Sequence, residues 1–454
     1  MTIKEAKNIY CLGIGGIGVS GLSRLFLDMG KTVTGSDLKA TNVTQDLEKL
    51  GIKVTIGSNE IVGQPDLVVY SPAIPKSDLE KITCEKLSQS QAIGQLIEDK
   101  YGIGVTGTNG KSTTTAILGL ILEQAGMDPT VLIGSLLSPK NESEKFKGNA
   151  RLGSGQLFVV ESDEYARKML DNKPKMIVIT NIAEDHLDVY KDLSDIEKAF
   201  SDYIRSLPTD GILIYNSDDH NTVEVCKHAT CHKYTFGIHH YADLQAVNVK
   251  VESGKQTFDL HLNDTKIGSF ELHVPGLFNI SNAIGAALSA IKLGVNTEVI
   301  EKTLAGYAGI WRRFEVVGKL ENKPIISDYG HHPAGVAATI EAAKQFYPGK
   351  KILVVFQPHQ HNRTKELFGE FIESLIMADE LILPEIFDVA GREHGEPVSS
   401  KDLATELTKR GVKATFAKDL DETGNMIREK IKDFDVVLLM GAGDIDNVAR
   451  KLVN

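Results

Sequence analysis

Residues 104–115, GVTGTNGKSTTT, constrain this chain more than any other stretch. A short apolar segment, Tyr101 to Val105, reads as a buried strand, and Ala116-Ile-Leu-Gly-Leu-Ile-Leu-Glu continues beyond at helical spacing. Strand, glycine turn and helix form the context of a phosphate-binding loop. Small residues let backbone N–H groups close around an anion, and the helix N-terminus adds partial positive charge. Lys111 can reach the terminal phosphates, and the hydroxyl of Ser112 or Thr113 can hold a Mg²⁺ bound to them. The first glycine of the usual pattern is replaced by Val105. Gly107 supplies the early glycine, giving Gly107-Thr108-Asn109-Gly110-Lys111-Ser112. The expected ligand is a nucleoside triphosphate.

At 454 residues the chain is too long for one core, and two or three domains are expected. A net charge of −11 argues against nucleic acid or an anionic membrane as the main partner. No apolar run reaches the length of a membrane span, and the first eight residues lack a signal peptide's apolar core. The four cysteines form no disulfide framework. A cytoplasmic protein is expected.

Asn8-Ile-Tyr-Cys-Leu-Gly-Ile reads as a strand entering Gly13-x-Gly15-Gly16-x-Gly18, followed by a helix from Ser20 to Met29. A second strand ends in Asp37, an acid about 20 residues past the glycines, as a nucleotide-ribose contact requires. This is a Rossmann-type beginning, in which the glycines approach a diphosphate, and a UDP-sugar suits it as well as NAD does. The strand from Asp66 ends at Ser71, a further candidate contact with the same ligand. The first domain is expected to end near residue 98.

Leu157-Phe-Val-Val-Glu161-Ser-Asp163-Glu164 and Lys175-Met-Ile-Val-Ile-Thr-Asn181, the latter followed by Glu184-Asp185-His186, read as buried strands with acids and an imidazole at their C-terminal ends. Glu161 and His186, on strand ends read as neighbouring, suit a second Mg²⁺ beside the triphosphate. Cys226, His228, Cys231 and His232 match no common zinc spacing and are read as a helix-to-strand connection. Asn279 and Asn282, three apart, open an alanine-rich helix and can point the same way. The composition turns to small residues around Gly306 to Gly309, where a third domain is expected to begin. In it, Asp328, His331, His332, His359 and Arg363 gather at strand ends, and Arg363 can hold a carboxylate as a bidentate pair.

The ordered set GIGGIG, GTNGKSTTT, ESDE, TNIAEDHLD, GLFNISNA, WRRFE, SDYGHHP, FQPHQHNRT and MGAGDI resembles the Mur ligases of peptidoglycan synthesis over essentially the whole chain. The resemblance implies an α/β protein of three domains. These are a Rossmann-like UDP-sugar domain (1–98), a central P-loop ATPase domain with a mostly parallel sheet (99–308) and a C-terminal Rossmann-like domain (309–454). It also implies an enzyme that uses ATP and Mg²⁺ to join L-alanine to the carboxylate of UDP-N-acetylmuramate through an acyl phosphate. The implied partners are these small molecules alone, without nucleic acid or membrane, in a monomer or weak homodimer.

Matching positions imply roles. Gly107, Thr108, Asn109, Gly110, Lys111, Ser112 and Thr113 cradle ATP, and Ser112, Thr113, Glu161 and His186 hold metal. Asn279 and Asn282 contact adenine, and Arg313 and Asp328 contact the ATP phosphates and ribose. His332 and Arg363 serve the incoming amino acid, while Gly15, Gly16, Gly18, Asp37 and Ser71 bind the UDP part. Of these, Lys111, Glu161, His186, His332 and Arg363 are the implied catalytic set. Some positions depart from the L-alanine-adding pattern: Asn109 and Ser112 stand where His and Thr are usual, Tyr165-Ala166 replaces Ser-Asp, and Gln360 stands where some relatives carry arginine. A murein tripeptide-recycling ligase and a non-catalytic nucleotide switch are the alternatives. The paired metal candidates and the His/Arg set argue against the switch, and FQPH..RT against the recycling ligase.

Overall fold

A computed structural model describes residues 1–186, 189–252, 254–388 and 398–453. Its strands make three sheets. The first contains β1 (Asn8–Leu12), β2 (Thr32–Asp37), β3 (Lys53–Ile56), β4 (Leu67–Tyr70) and β5 (Glu85–Ser88), in the order β3-β2-β1-β4-β5 with all neighbours parallel. Strand order reverses at β1, so the carboxyl ends of β1, β2 and β4 surround a crevice, the usual ligand position in such sheets.

The second sheet contains β6 (Tyr101–Thr106), β7 (Thr130–Leu132), β8 (Ala150–Arg151), β9 (Leu157–Glu161), β10 (Met176–Ile179), β11 (Ile212–Asn216), β12 (His232–Gly237), β13 (Leu244–Glu252), β14 (Lys255–Leu262) and β15 (Thr265–Leu272). Its order is β15-β14-β13-β12-β11-β10-β6-β9-β7-β8, and the run from β13 to β7 is parallel. Residues 103–106 of β6 are buried on both faces, as a central parallel strand requires. The helix Lys111–Gln124 that follows is buried on every side from Ser112 to Leu122, so it lies inside the unit rather than on its surface.

The third sheet contains β16 (Glu315–Leu320), β17 (Lys323–Asp328), β18 (Ile352–Phe356), β19 (Glu380–Pro384), β20 (Lys413–Ala417) and β21 (Val436–Met440), in the order β16-β17-β21-β18-β19-β20. Only the edge strand β16 is antiparallel to its neighbour. Side chains alternate between two separate cores: Ile352, Val354 and Phe356 point to one, Leu353 and Val355 to the other. Helices cover both faces, the doubly wound arrangement.

The chain divides into two compact units. One comprises Met1–Val249, Phe258–Glu271 and Phe278–Ala308, and the other Lys250–Thr257, Leu272–Leu277 and Gly309–Asn454. The first sheet and strands β6 to β12 of the second belong to the first of these units, and they share a core: Leu22, Leu25 and Phe26 of helix Ile17–Asp28 cluster with Leu132, Ala150, Phe158 and Val160 of the second sheet. Gly21 permits this contact, because a Cβ there would lie 2.4 Å from Leu132 Cδ1. Asn149 ties the same helix down by donating to Ser20 Oγ at 2.9 Å and to Ile17 O.

Candidate active site

The loop after β6 is built by two left-handed glycines. Gly107 has φ +132° and Gly110 φ +87°, conformations that side chains rarely adopt. Space forbids a side chain as well: a Cβ on Gly107 would stand 2.1 Å from Thr180 Oγ1, and one on Gly110 2.1 Å from Asn282 Oδ1. Gly110 caps the helix Lys111–Gln124, so its first N–H groups face the loop. The loop is stapled to the end of β10. Thr108 N donates to Asn181 O at 2.9 Å, Asn109 N to Asn181 Oδ1 at 3.0 Å, and Thr180 Oγ1 to Asn109 O at 2.6 Å. Asn279 and Asn282 are both buried on the helix Leu277–Lys292, and Asn282 abuts the loop.

Lys111 folds back over this loop. Its ammonium donates to Gly107 O at 2.6 Å, Thr108 O at 3.1 Å and Glu164 Oε1 at 2.9 Å. Burial alone lowers the pKa of this lysine, but the charges of Glu164, Glu161 and Asp163 outweigh it and hold it above the ordinary value.

Glu161, at the end of β9, accepts from Gly134 N at 2.7 Å and from the Ser112 hydroxyl. Burial raises its pKa although Lys111 opposes this. Glu161 and His186 were read as standing on neighbouring strand ends. The structure corrects this: β9 and β10 flank β6 on opposite sides, so the two residues approach the loop from either hand. Two carboxylates stand beside the His186 ring: Glu164, with Oε1 3.6 Å from Nε2, and Asp185, with Oδ1 3.8 Å from Nδ1. Its φ of +56° places it in the left-handed region. Desolvation lowers its pKa, and the bond to Glu164 together with the Asp185 charge raises it past the ordinary value.

At the carboxyl edge of the first sheet, Gly15, Gly16, Gly18, Asp37 and Ser71 do gather. Asp37 is turned inward, accepting from Gly15 N at 2.8 Å and Lys39 N at 3.1 Å. Gly18 also has a packing reason, since a Cβ there would meet Gln89 Nε2 at 1.9 Å. Gly16 forms the N-cap of helix Ile17–Asp28, and Ser71 Oγ accepts from Ala73 N at 3.3 Å.

In the other unit, Asp328 is buried with both oxygens engaged: Oδ2 accepts from Phe314 N at 2.8 Å and Oδ1 from Gly330 N at 2.7 Å. The adjacent arginines differ. Arg312 is buried, donates to Gly443 O at 2.9 Å and to Gly441 O, and lies over the Tyr329 ring at 5.0 Å. Arg313 is exposed, with its guanidinium 5.3 Å from the same ring. His332 is the N-cap of helix Pro333–Phe346 and leaves its ring out of the cap. Arg363 lies on the one-and-a-half-turn helix His361–Glu366, whose N-cap Gln360 has φ +70°. The His359 ring stacks on Phe387 at 5.5 Å and meets His331 at 6.1 Å. Asp328 and His332 thus lie at the carboxyl end of β17 and His359 and Arg363 beyond that of β18, while Arg312 and Arg313 precede β16.

Profiles of one family match the chain in succession: the Mur ligase family catalytic domain over residues 8–101, the Mur ligase middle domain over 105–290 and the Mur ligase glutamate ligase domain over 312–443. A UDP-N-acetylmuramate–L-alanine ligase of Caldanaerobacter subterraneus subsp. tengcongensis is 37% identical over 460 residues, covering 99% of this chain and 98% of its own. The chain is a Mur ligase. A ligase of the same description from Clostridium botulinum is 38% identical across 99% of this chain and 98% of its own. The solved UDP-N-acetylmuramate–alanine ligase of Thermotoga maritima superposes with a TM-score of 0.84 at 27% identity, covering 99% of this chain and 98% of its own. A murein peptide ligase from Psychrobacter arcticus shares the fold at a TM-score of 0.71 and 24% identity, covering 98% of each chain.

In this Mur ligase two residues near the loop escaped the sequence reading. Glu164 was visible in the ESDE string, but nothing local indicates that it, rather than Glu161, pairs with Lys111. The partnership joins residues 53 positions apart. Thr180 carried no signal beyond ending a strand, although it fixes the loop through Asn109.

Proposed function

We propose that this Mur ligase is an ATP-dependent, ADP-forming amide-bond ligase that joins L-alanine to the carboxylate of UDP-N-acetylmuramate in peptidoglycan precursor synthesis. The observation that carries this reading is its 36–38% identity, over nearly the whole of both chains, to relatives named for that reaction. The two glycines and Lys111 supply the matching local geometry. We place the domain bounds at 1–98, 99–308 and 309–454, and the working form as a cytoplasmic monomer or weak homodimer.

A carboxylate is a poor electrophile with no good leaving group, so it must be activated. Its oxygen attacks the γ-phosphorus and ADP departs, leaving an acyl phosphate. The amine of alanine then attacks the carbonyl carbon, and the tetrahedral intermediate loses phosphate and a proton to give the amide. The loop's N–H groups and Lys111 neutralise charge that grows on the phosphates. Asn279 and Asn282 bind the base, and Arg313 and Asp328 assist from the third domain. His332 and Arg363 hold the amino acid, Arg363 through its carboxylate. Gly15, Gly16, Gly18, Asp37 and Ser71 hold the UDP part, for which Asp37 must release Gly15 or share it.

The donors near the loop suit a hard divalent cation: Ser112 Oγ already meets Glu161, and Thr113, buried beside Ser112, adds a second hydroxyl. Ser112 or Thr113 would hold one Mg²⁺, and Glu161 and His186 would hold another. Bound there, Mg²⁺ would neutralise phosphate charge.

Mass spectrometry tests the bond. UDP-N-acetylmuramate incubated with ATP and L-alanine gains one alanine less one water, and ¹⁸O in its carboxylate appears in the released phosphate. Unlabelled phosphate would exclude the acyl phosphate.

A further inference from the structure

Lys111 is the cation the loop offers to a nucleotide, yet here it is already neutralised. Glu164 Oε1 and Oε2 lie 2.9 and 2.8 Å from its ammonium, and the side chains are only 13% and 3% exposed for lysine and glutamate. We propose that Glu164 is a positioning residue that holds Lys111 before the nucleotide arrives and yields it to the triphosphate. The inference rests on the reading of the loop as the ATP site.

Charge and competition both favour an exchange. A triphosphate seated in the loop needs the ammonium of Lys111, and a buried carboxylate kept against that ammonium would stand beside the incoming anion. The other two acids are otherwise occupied. Glu161 takes the Gly134 N–H and the Ser112 hydroxyl, and Asp163 pairs with Lys168 Nζ at 2.8 Å. Glu164 is the member of the trio that pairs with Lys111. Its Oε2 has the ammonium close by but no aligned donor among the described residues, so half of the carboxylate is held by charge alone.

The carboxylate also has somewhere to go. His186 Nε2 lies 3.6 Å from Oε1, within a small side-chain rotation. The backbone is fixed meanwhile. Glu164 O accepts from Tyr190 OH and from Arg167 N at 2.9 Å, and the next turn is set by Ala166 and Arg167, both left-handed at φ +52° and +59°. Arg167 is anchored in turn by Asp195 Oδ1 at 2.6 Å. Left-handed non-glycine residues in succession persist only where their surroundings enforce them, and they often mark functional turns. Exchange therefore costs a side-chain swing rather than a loop rearrangement.

The test uses the full-length enzyme with inorganic tripolyphosphate and β,γ-methylene-ATP as probes, in EDTA and in Mg²⁺. Glu164→Gln keeps the shape and one acceptor but removes the competing charge. It is expected to bind both probes in EDTA about tenfold more tightly than the parent, equivalent to about 1.4 kcal/mol, and to lower KM for ATP without raising kcat. Glu164→Asp, which keeps the charge, should bind no more tightly than the parent. Equal or weaker binding by Glu164→Gln, or a steeper Mg²⁺ requirement marking Glu164 as a metal ligand, overturns the inference. Lys111→Ala separates the two levels. If it binds the probes like the parent, the ATP-site reading itself fails. If it loses them while Glu164→Gln gains nothing, only the exchange fails. Should Glu164→Gln not fold, a crystal structure of the parent with β,γ-methylene-ATP decides. The Lys111–Glu164 separation is expected to exceed 4 Å, and an intact pair beside bound phosphates would refute the proposal.

Discussion

Replacing Lys111 by alanine should damage stability and activity for separable reasons. The substitution strands the Glu164 carboxylate, which is almost fully buried and among the described residues keeps only His186 within 4 Å as a cationic partner. Removing one partner of a buried pair costs about 3–5 kcal/mol. Lys111 retains some exposure, so the lower figure, about 3 kcal/mol, applies. For a unit of this size, larger than 250 residues, each kcal/mol shifts the melting temperature by a little under about 2 °C, which gives a fall of roughly 5 °C. Turnover should fall at least about 10³-fold, because the ammonium acts on charge that grows at the phosphates. The double variant Lys111→Ala/Glu164→Gln has no stranded charge. It should recover most of the melting temperature and none of the turnover. Differential scanning fluorimetry and a coupled ADP assay read the two quantities. A double variant as unstable as Lys111→Ala would refute the buried-pair argument, and near-normal turnover in either variant would refute the role of the loop.

Gly110→Ala should abolish nucleotide binding in a titration with ADP, since a methyl group at φ +87° would meet Asn282 Oδ1 at 2.1 Å; unaltered affinity would mean that the turn is not the site. The neighbouring arginines should behave differently: Arg312→Ala, losing a buried donor to Gly441 and Gly443, should lower the melting temperature by several degrees, whereas Arg313→Ala should leave it unchanged and reduce turnover. Acid stability should depend on Asp128. Hydrogen bonds from Ser154 and Arg151 hold its pKa below the ordinary 3.8, so its contribution is present above that value and is lost as the pH falls through the depressed one. Asp128→Asn should therefore be less stable than the parent at pH 6, and the gap should close as the pH falls below 3.8. Cys11, whose thiol burial pushes up to about 12, should resist iodoacetamide in the native protein at pH 8 and react on unfolding.

The parts of the fold that local pattern dictates were legible in the chain. Apolar runs ending in glycine or acid marked β1, β6, β9 and β21, an apolar run ending in Thr180-Asn181 marked β10, and the two glycines before Lys111 marked the loop although Val105 breaks the usual spacing. Sheet order was not legible, because it is decided by which faces must be covered. The placement of β9 and β10 on opposite sides of β6 is the consequence that mattered at the site. Identity of charged partners was equally hidden. Nothing in Trp311-Arg312-Arg313 indicates which arginine turns inward, and the φ of +55° that buries Arg312 appears only once the backbone is built. Asp37 shows the same limit: its position after β2 was readable, whereas its bond to Gly15 N was not.

Phosphate release from ATP in Mg²⁺ and UDP-N-acetylmuramate, with L-alanine, glycine, L-serine and the recycled murein tripeptide compared in parallel, tests the central claim most directly. Release that requires both the sugar nucleotide and L-alanine is the predicted result. Release with the tripeptide and not with L-alanine would contradict it and move the protein to the recycling ligases, and no release with any amine would contradict bond formation altogether.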